Sequence, residues 1–145
     1  MVSQPVLDLS KTSANRKLLL FESLKDNICE ALAPTFQRAG FQCQVVTTVC
    51  ACMEVVRRWT PDAVLMVTNN MWEEPAFEVA RAIRAIHPEC GFVFIAGSEE
   101  EGRQDFLSAG YKFNVHSIPM PIRELIALTT QAIDSPLESF VIPQE

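Results

Sequence analysis

Short apolar runs and amphipathic stretches take turns along this chain, and that alternation restricts the folds open to it. The runs "KLLLFES", "FQCQVVTT", "AVLMV", "GFVFIAG" and "YKFNVH" are compact and rich in apolar or β-branched residues, as strands buried on both faces are. The segments between them follow a helical period instead. In "DNICEALAPTFQRAG", Ile28, Leu32 and Phe36 recur every four residues with Ala31, Thr35 and Ala39 alongside, and Gly40 marks the stop. In "VCACMEVVRRW", the residues Val49, Cys52, Met53, Val56 and Trp59 share one face. From Pro75, a residue suited to a first helical turn, Phe77, Ala80, Ile83 and Ile86 point inward while Arg81 and Arg84 point out. "SEEEGRQDFLSAG" sets Ser98 three residues before Glu101, a capping-box spacing, and closes on Gly110. A last helix, "IRELIALTTQAI", packs through Ile122, Leu125, Ile126, Thr129 and Ile133.

Five strands alternating with five helices over short links predict an α/β fold, a doubly wound three-layer sandwich with a five-stranded parallel sheet. Parallel neighbours need crossover connections, and right-handed crossovers place helices on both faces. The predicted domain spans residues 16–133, after a flexible N-terminal segment over 1–15 and before a C-terminal tail over 134–145. The tail is apolar at Leu137, Phe140, Val141 and Ile142, and three fates are open to it: packing back on the domain, pairing with a second copy, or binding a partner. At 145 residues, one domain with its own core is the expected size.

The charge of -6 and the lack of any basic cluster argue against nucleic acid or an anionic membrane as partner. No apolar stretch approaches the roughly 18 residues of a membrane span, and "MVSQPVLDLSKTSANRK" has no signal-peptide core, so a soluble, cytoplasmic protein is expected. Cys29, Cys43, Cys50, Cys52 and Cys90 are odd in number and irregular in spacing, which predicts reduced thiols rather than a disulfide framework. "CAC" with His87 and His116 does not reach metal-ligand spacing, and no metal or cofactor is expected.

In a parallel α/β sheet the chemistry belongs beyond the carboxyl ends of the strands. Those ends hold Glu22 with Ser23, Val67 with Thr68 and Asn69, Ala96 with Gly97, and Ser117-Ile118-Pro119. Residues 16 to 133, through "LLLFES", "RAGFQCQVV", "PDAVLMV", "FEVARAIRAIHP", "FVFIAG", "FLSAGY" and "IPMPIREL", resemble the receiver domain of bacterial two-component response regulators, which is flavodoxin-like. The resemblance implies two acids after the first strand, a phosphoaccepting Asp after the third, Thr or Ser after the fourth, and Lys then Pro after the fifth. Here those positions carry Glu22 and Ser23, Val67, Ala96, and Ile118 with Pro119.

Aspartyl phosphorylation requires a carboxylate nucleophile, a magnesium ion among clustered oxygens, and donors to the phosphoryl oxygens. Val67, Ala96 and Ile118 offer none. The expectation is a pseudo-receiver, a stand-alone protein that is not an enzyme and not phosphorylated. It would act by binding another protein: a histidine kinase, another signalling protein, or itself as a homodimer. By resemblance the partner surface lies at or near Gln104, Phe106, Tyr111, Phe113, Met120 and Arg123. The alternative is a flavodoxin-like small-ligand sensor or enzyme using the altered pocket. In "NNMWEEP", Glu73 or Glu74 stands as a candidate permanent anion for the pocket and Trp72 as a candidate partner anchor.

Overall fold

The computed structural model describes residues 16–22, 27–68, 76–96, 112–113, 115–117 and 120–142. Strand β1 (Lys17–Glu22) is followed by helix α1 (Ile28–Arg38), β2 (Gln42–Val46), α2 (Val49–Trp59), β3 (Ala63–Thr68), α3 (Ala76–Ile86) and β4 (Gly91–Ala96). Then come the short strands β5 (Lys112–Phe113) and β6 (Val115–Ser117), helix α4 (Ile122–Asp134), a single turn α5 (Pro136–Ser139) and β7 (Phe140–Val141). The strand order is β2-β1-β3-β4-β6 and every neighbouring pair is parallel. The expected helix over "SEEEGRQDFLSAG" lies outside the described residues.

Register is set at the amino ends of the central strands by the Pro-Asp pair. The Asp62 carboxylate accepts from the Lys17 amide at 2.9 Å and the Asp62 amide donates to the Lys17 carbonyl at 2.9 Å, while Gly91 donates to the Asp62 carbonyl at 3.0 Å. One residue thereby ties β1, β3 and β4 together. His87 binds the Pro61 carbonyl through Nε2 at 2.9 Å, so this histidine braces the same corner.

The sheet is buried on both faces, as its unbroken apolar strands require. One face carries Leu19, Phe21, Val64, Met66, Phe92 and Phe94 against α2 and α3. The other carries Leu18, Leu20, Leu65, Val67, Val93 and Ile95 against α1 and α4. Gly91 lies where α4 crosses β4, and a methyl group there would run into the Ala132 carbonyl. The closeness of helix to strand therefore depends on a residue without a side chain.

The helix faces differ in detail from the predicted stripes. In α1 the buried residues are Cys29, Ala33 and Phe36, with Ile28, Leu32, Thr35 and Ala39 half-buried beside them and Ala31 exposed. In α2 they are Cys52, Val55 and Val56, and Val49 at the first turn is exposed. Ile86 and Ile122, each 40% exposed, lie at a helix end rather than in the core. End residues project past the sheet, so an apolar period overestimates their burial.

The largest correction concerns Arg84, expected to point outward. Its guanidinium turns in to the C-terminal segment, with Nη1 donating to the Phe140 carbonyl at 2.7 Å and Nη2 to the carbonyls of Pro136 at 3.0 Å and Cys90 at 3.3 Å. It also lies over the rings of Phe92 and Phe140, 5.2 and 5.8 Å from their centroids. Burial lowers its pKa, and those carbonyls and rings offset the lost hydration. The segment it holds is integral to the fold. Phe140 is fully buried against Phe77, Phe92 and Phe94, Ser139 Oγ accepts from the Phe92 amide at 2.9 Å, and β7 pairs antiparallel with β5. Of the three fates open to the tail, residues 136–142 take the first.

Phe140→Ala should therefore lower unfolding stability by about 3–5 kcal/mol, the range for a fully buried phenylalanine. Urea denaturation of the variant beside the parent measures it, and a loss below about 1 kcal/mol would show that the segment is not part of the cooperative core.

Candidate functional site

The carboxyl end of the sheet is built on one cross-strand row. Glu22 stands opposite Val67, Val67 opposite Ile95, and Ile95 opposite His116. One residue further on, Thr68 stands opposite Ala96 and Ala96 opposite Ser117. The strands thus bring together Glu22, Val67 and Ala96, three of the positions that the sequence resemblance aligns with a phosphorylation pocket. Ser23, Ile118 and Pro119, with the turn expected there, lie outside the described residues, as do Trp72, Glu73 and Glu74.

Glu22 is 2% exposed and its carboxylate is already engaged. Oε1 accepts from the Cys29 amide at 2.8 Å and Oε2 from the Ile28 amide at 3.2 Å. These are the first amides of α1, which have no partner inside the helix. Asn27, the N-cap residue, has a left-handed backbone (φ 58°) and gives no side-chain cap. It turns the chain so that the amides face back to β1, and Glu22 supplies the cap in its place. A carboxylate here also meets the positive end of the helix dipole.

The neighbouring groups suit that structural duty. Val67 is 2% exposed and packs in the apolar cluster that contains Cys29 and Ile95. Burial, then the Glu22 charge and the hydrogen bond to Glu22, push the Cys29 thiol pKa well up, so it stays protonated as a donor toward the carboxylate. No three His, Cys, Asp or Glu side chains gather where a metal ion could sit among the described residues. The described residues of this row do not fit a magnesium site: one carboxylate is bonded to two amides, and the side chains of Val67 and Ile95 carry no oxygen.

No family model matches the sequence, and no curated protein matches it. Solved structures do match. A fusion carrying the yeast Spc42 trimeric coiled-coil segment superposes with a TM-score of 0.69 at 21% identity, over 84% of this chain and 80% of that one. A CheY-like response-regulator receiver domain from Methanospirillum hungatei JF-1 gives 0.68 at 13% identity, over 83% and 94%. The non-phosphorylated HemR receiver domain from Leptospira biflexa gives 0.60 at 15% identity, over 90% and 99%.

The fold is that of a CheY-like receiver. It is an α/β arrangement of parallel strands and covering helices, flavodoxin-like in class, and at these identities the likeness is one of fold.

Of the residues assigned to a partner surface, Arg123 is exposed and Met120 is half-buried against the α1/α4 side of the core. Phe113 belongs to β5, whose partner strand is the tail. Gln104, Phe106 and Tyr111 lie outside the described residues. No helix among the described residues is long and apolar enough to cross a membrane. All five cysteines are free thiols. The two of "CAC" point apart, Cys50 exposed and Cys52 buried, because residues two apart on a helix do not share a face.

What sequence reading missed here is the Glu22 cap. The signal was present: an acid at the end of a strand, a turn, and a helix whose Asn N-cap is followed three residues later by Glu30. A capping box was one solution, and the chain uses the distant acid.

Glu22→Ala strands two helix-start amides in a buried setting and should cost about 1–3 kcal/mol of stability, read by urea denaturation, with Glu22→Gln losing less because its amide oxygen still accepts. A thiol titration of the native protein near pH 8 should find Cys50 reactive. Cys43 and Cys52, whose pKa values burial raises to about 11 and about 12, should be slow until the chain is unfolded, because too little thiolate forms.

Proposed function

We propose that this protein is a pseudo-receiver of two-component signalling: it keeps the receiver scaffold, is not phosphorylated, and acts by binding another protein. The observation that carries the reading is the Glu22 carboxylate on the amides of Ile28 and Cys29, with buried Val67 opposite it. The acid that would help hold magnesium caps a helix, and an isopropyl group stands where a phosphoacceptor carboxylate would be. In this reading Ser23, Ala96, Ile118 and Pro119 complete the altered pocket, and Val115–Ser117 is the fifth strand of a doubly wound (βα)5 sheet.

Signal output then depends on a constant surface instead of a phosphorylation-driven change. Gln104, Phe106, Tyr111, Phe113, Met120 and Arg123 remain the proposed partner surface, in a cytoplasmic protein without catalytic activity. Receiver domains as a fold class support the choice of a protein partner; the exposed guanidinium of Arg123 supports its place on that surface.

Amide NMR spectra before and after Mg²⁺ with beryllofluoride test the reading. No resonance of β1, β3 or β4 should shift. Shifts gathered at Glu22, Val67 and Ala96 would mean that an oxygen at this end accepts a phosphoryl group, and the pseudo-receiver reading would be wrong.

A further inference from the structure

The two edges of the main sheet are finished differently. At one edge β6 is only three residues long. Beside it the Phe92 amide of β4 is closed off by Ser139 Oγ, itself held to the Pro136 carbonyl. At the other edge β2 runs for five residues, "QCQVV", paired with β1 without a bulge from Gln42 to Val46. It contains no charge and no proline, and among the described residues nothing pairs with its outer side. Charges, prolines, bulges and short strands are the means by which edges are kept from pairing. β6 shows one of them and β2 shows none.

The direction of the free groups follows from one hydrogen bond. Gln42 donates its amide to the Arg16 carbonyl at 2.8 Å, so Gln42, Gln44 and Val46 turn their backbone groups to β1. Alternation along a strand then turns the amides and carbonyls of Cys43 and Val45 outward. We propose that this edge pairs antiparallel with β2 of a second copy about a two-fold axis through Gln44. In that register Cys43 of one copy faces Val45 of the other, and each such pair exchanges both of its N–H···O=C bonds. Gln44 faces Gln44 in the closer, non-hydrogen-bonded site, where two uncharged amides meet without repulsion.

Self-pairing is the occupant that the charges favour. A chain with a net charge of -6 repels a copy of itself over most of its surface, but this strip is neutral. The exposed charges on the flanking helices are of both signs, Glu30 and Arg38 on α1 and Glu54, Arg57 and Arg58 on α2. The half-buried Leu32, Ala39, Cys43 and Val45, already packed against the α1/α4 side of the core, supply apolar area that pairing would cover. The contact is isologous, so it closes at two copies. It does not depend on the signalling reading: the pairing can fail while the pocket stays inert, and the reverse.

Light scattering of the full chain across a broad concentration range tests it. The mass should rise toward twice 16.2 kDa as concentration increases. Gln44→Lys puts like charges opposite each other and should weaken self-association by about tenfold or more while leaving the circular dichroism spectrum and melting temperature near those of the parent. Gln44→Cys should form a disulfide-linked dimer under mild oxidation, mapped by mass spectrometry to position 44 in both copies. A mass of one chain at every concentration would overturn the proposal, as would a dimer indifferent to Gln44→Lys or a crosslink that avoids position 44. Slow hydrogen exchange at Cys43 and Val45 in a monomer would overturn it too, since a segment of the same chain would then hold the edge.

Discussion

The position of every group at the carboxyl end of the sheet depends on a tie at the opposite end. Asp62 holds the starts of three adjacent strands through its carboxylate, amide and carbonyl, and a parallel ladder started in one register continues in it. Because side chains alternate with a period of two, a slip by one residue would move the whole inner set to the other face. The row Glu22, Val67, Ile95 is a consequence: all three face α1 and α4 because Leu18, Leu65 and Val93 do. A sheet buried on both faces leaves no solvent-facing set to absorb an error, so register and burial enforce each other.

That placement sets a single carboxylate, Glu22, among buried apolar side chains at the carboxyl end of the sheet. An acid at Val67 would be held near the Glu22 carboxylate in a setting with little water, where like charges repel strongly. A metal ion relieves such repulsion where enough oxygens gather. Here Glu22 has the two α1 amides as its counterpart and Val67 adds contact to the apolar cluster. The one buried carboxylate of this row serves a helix start, accepting from the amides of Ile28 and Cys29.

The first four strands were legible because long apolar runs have few alternatives in a chain of this size, and the receiver resemblance rested on the same runs. "YKFNVH", read as one strand, instead contributes β5 and β6 to different sheets, and β7 in the tail was not read. Helix faces were legible only in part. The apolar period located the helices and placed Phe36 correctly, but it could not distinguish Cys29 and Ala33 from the neighbouring Ile28 and Leu32, since both pairs are apolar and the sheet decides which turns inward. Arg84 was misread for a different reason. Its partners Pro136 and Phe140 lie 52 and 56 residues away, and no local pattern announces that a cation on a helix will meet the carbonyls of a distant segment. The Glu22 cap sits between these cases, local enough to be read and hidden by the more familiar role of an acid in that place.

The tail changes what a partner of this protein would meet. β5, which contains Phe113, is paired with β7, and β7 is anchored by the Phe140 ring and the Arg84 guanidinium. A partner that docks against β5 would therefore meet a strand already paired with Phe140–Val141. Pulling residues 136–141 away would uncover a fully buried ring and strip Arg84 of two of its three carbonyls, an energetic demand comparable to a large share of a small domain's stability. Recognition that leaves the segment seated is the less demanding course, and it makes residues 136–142 part of the scaffold that a partner would meet.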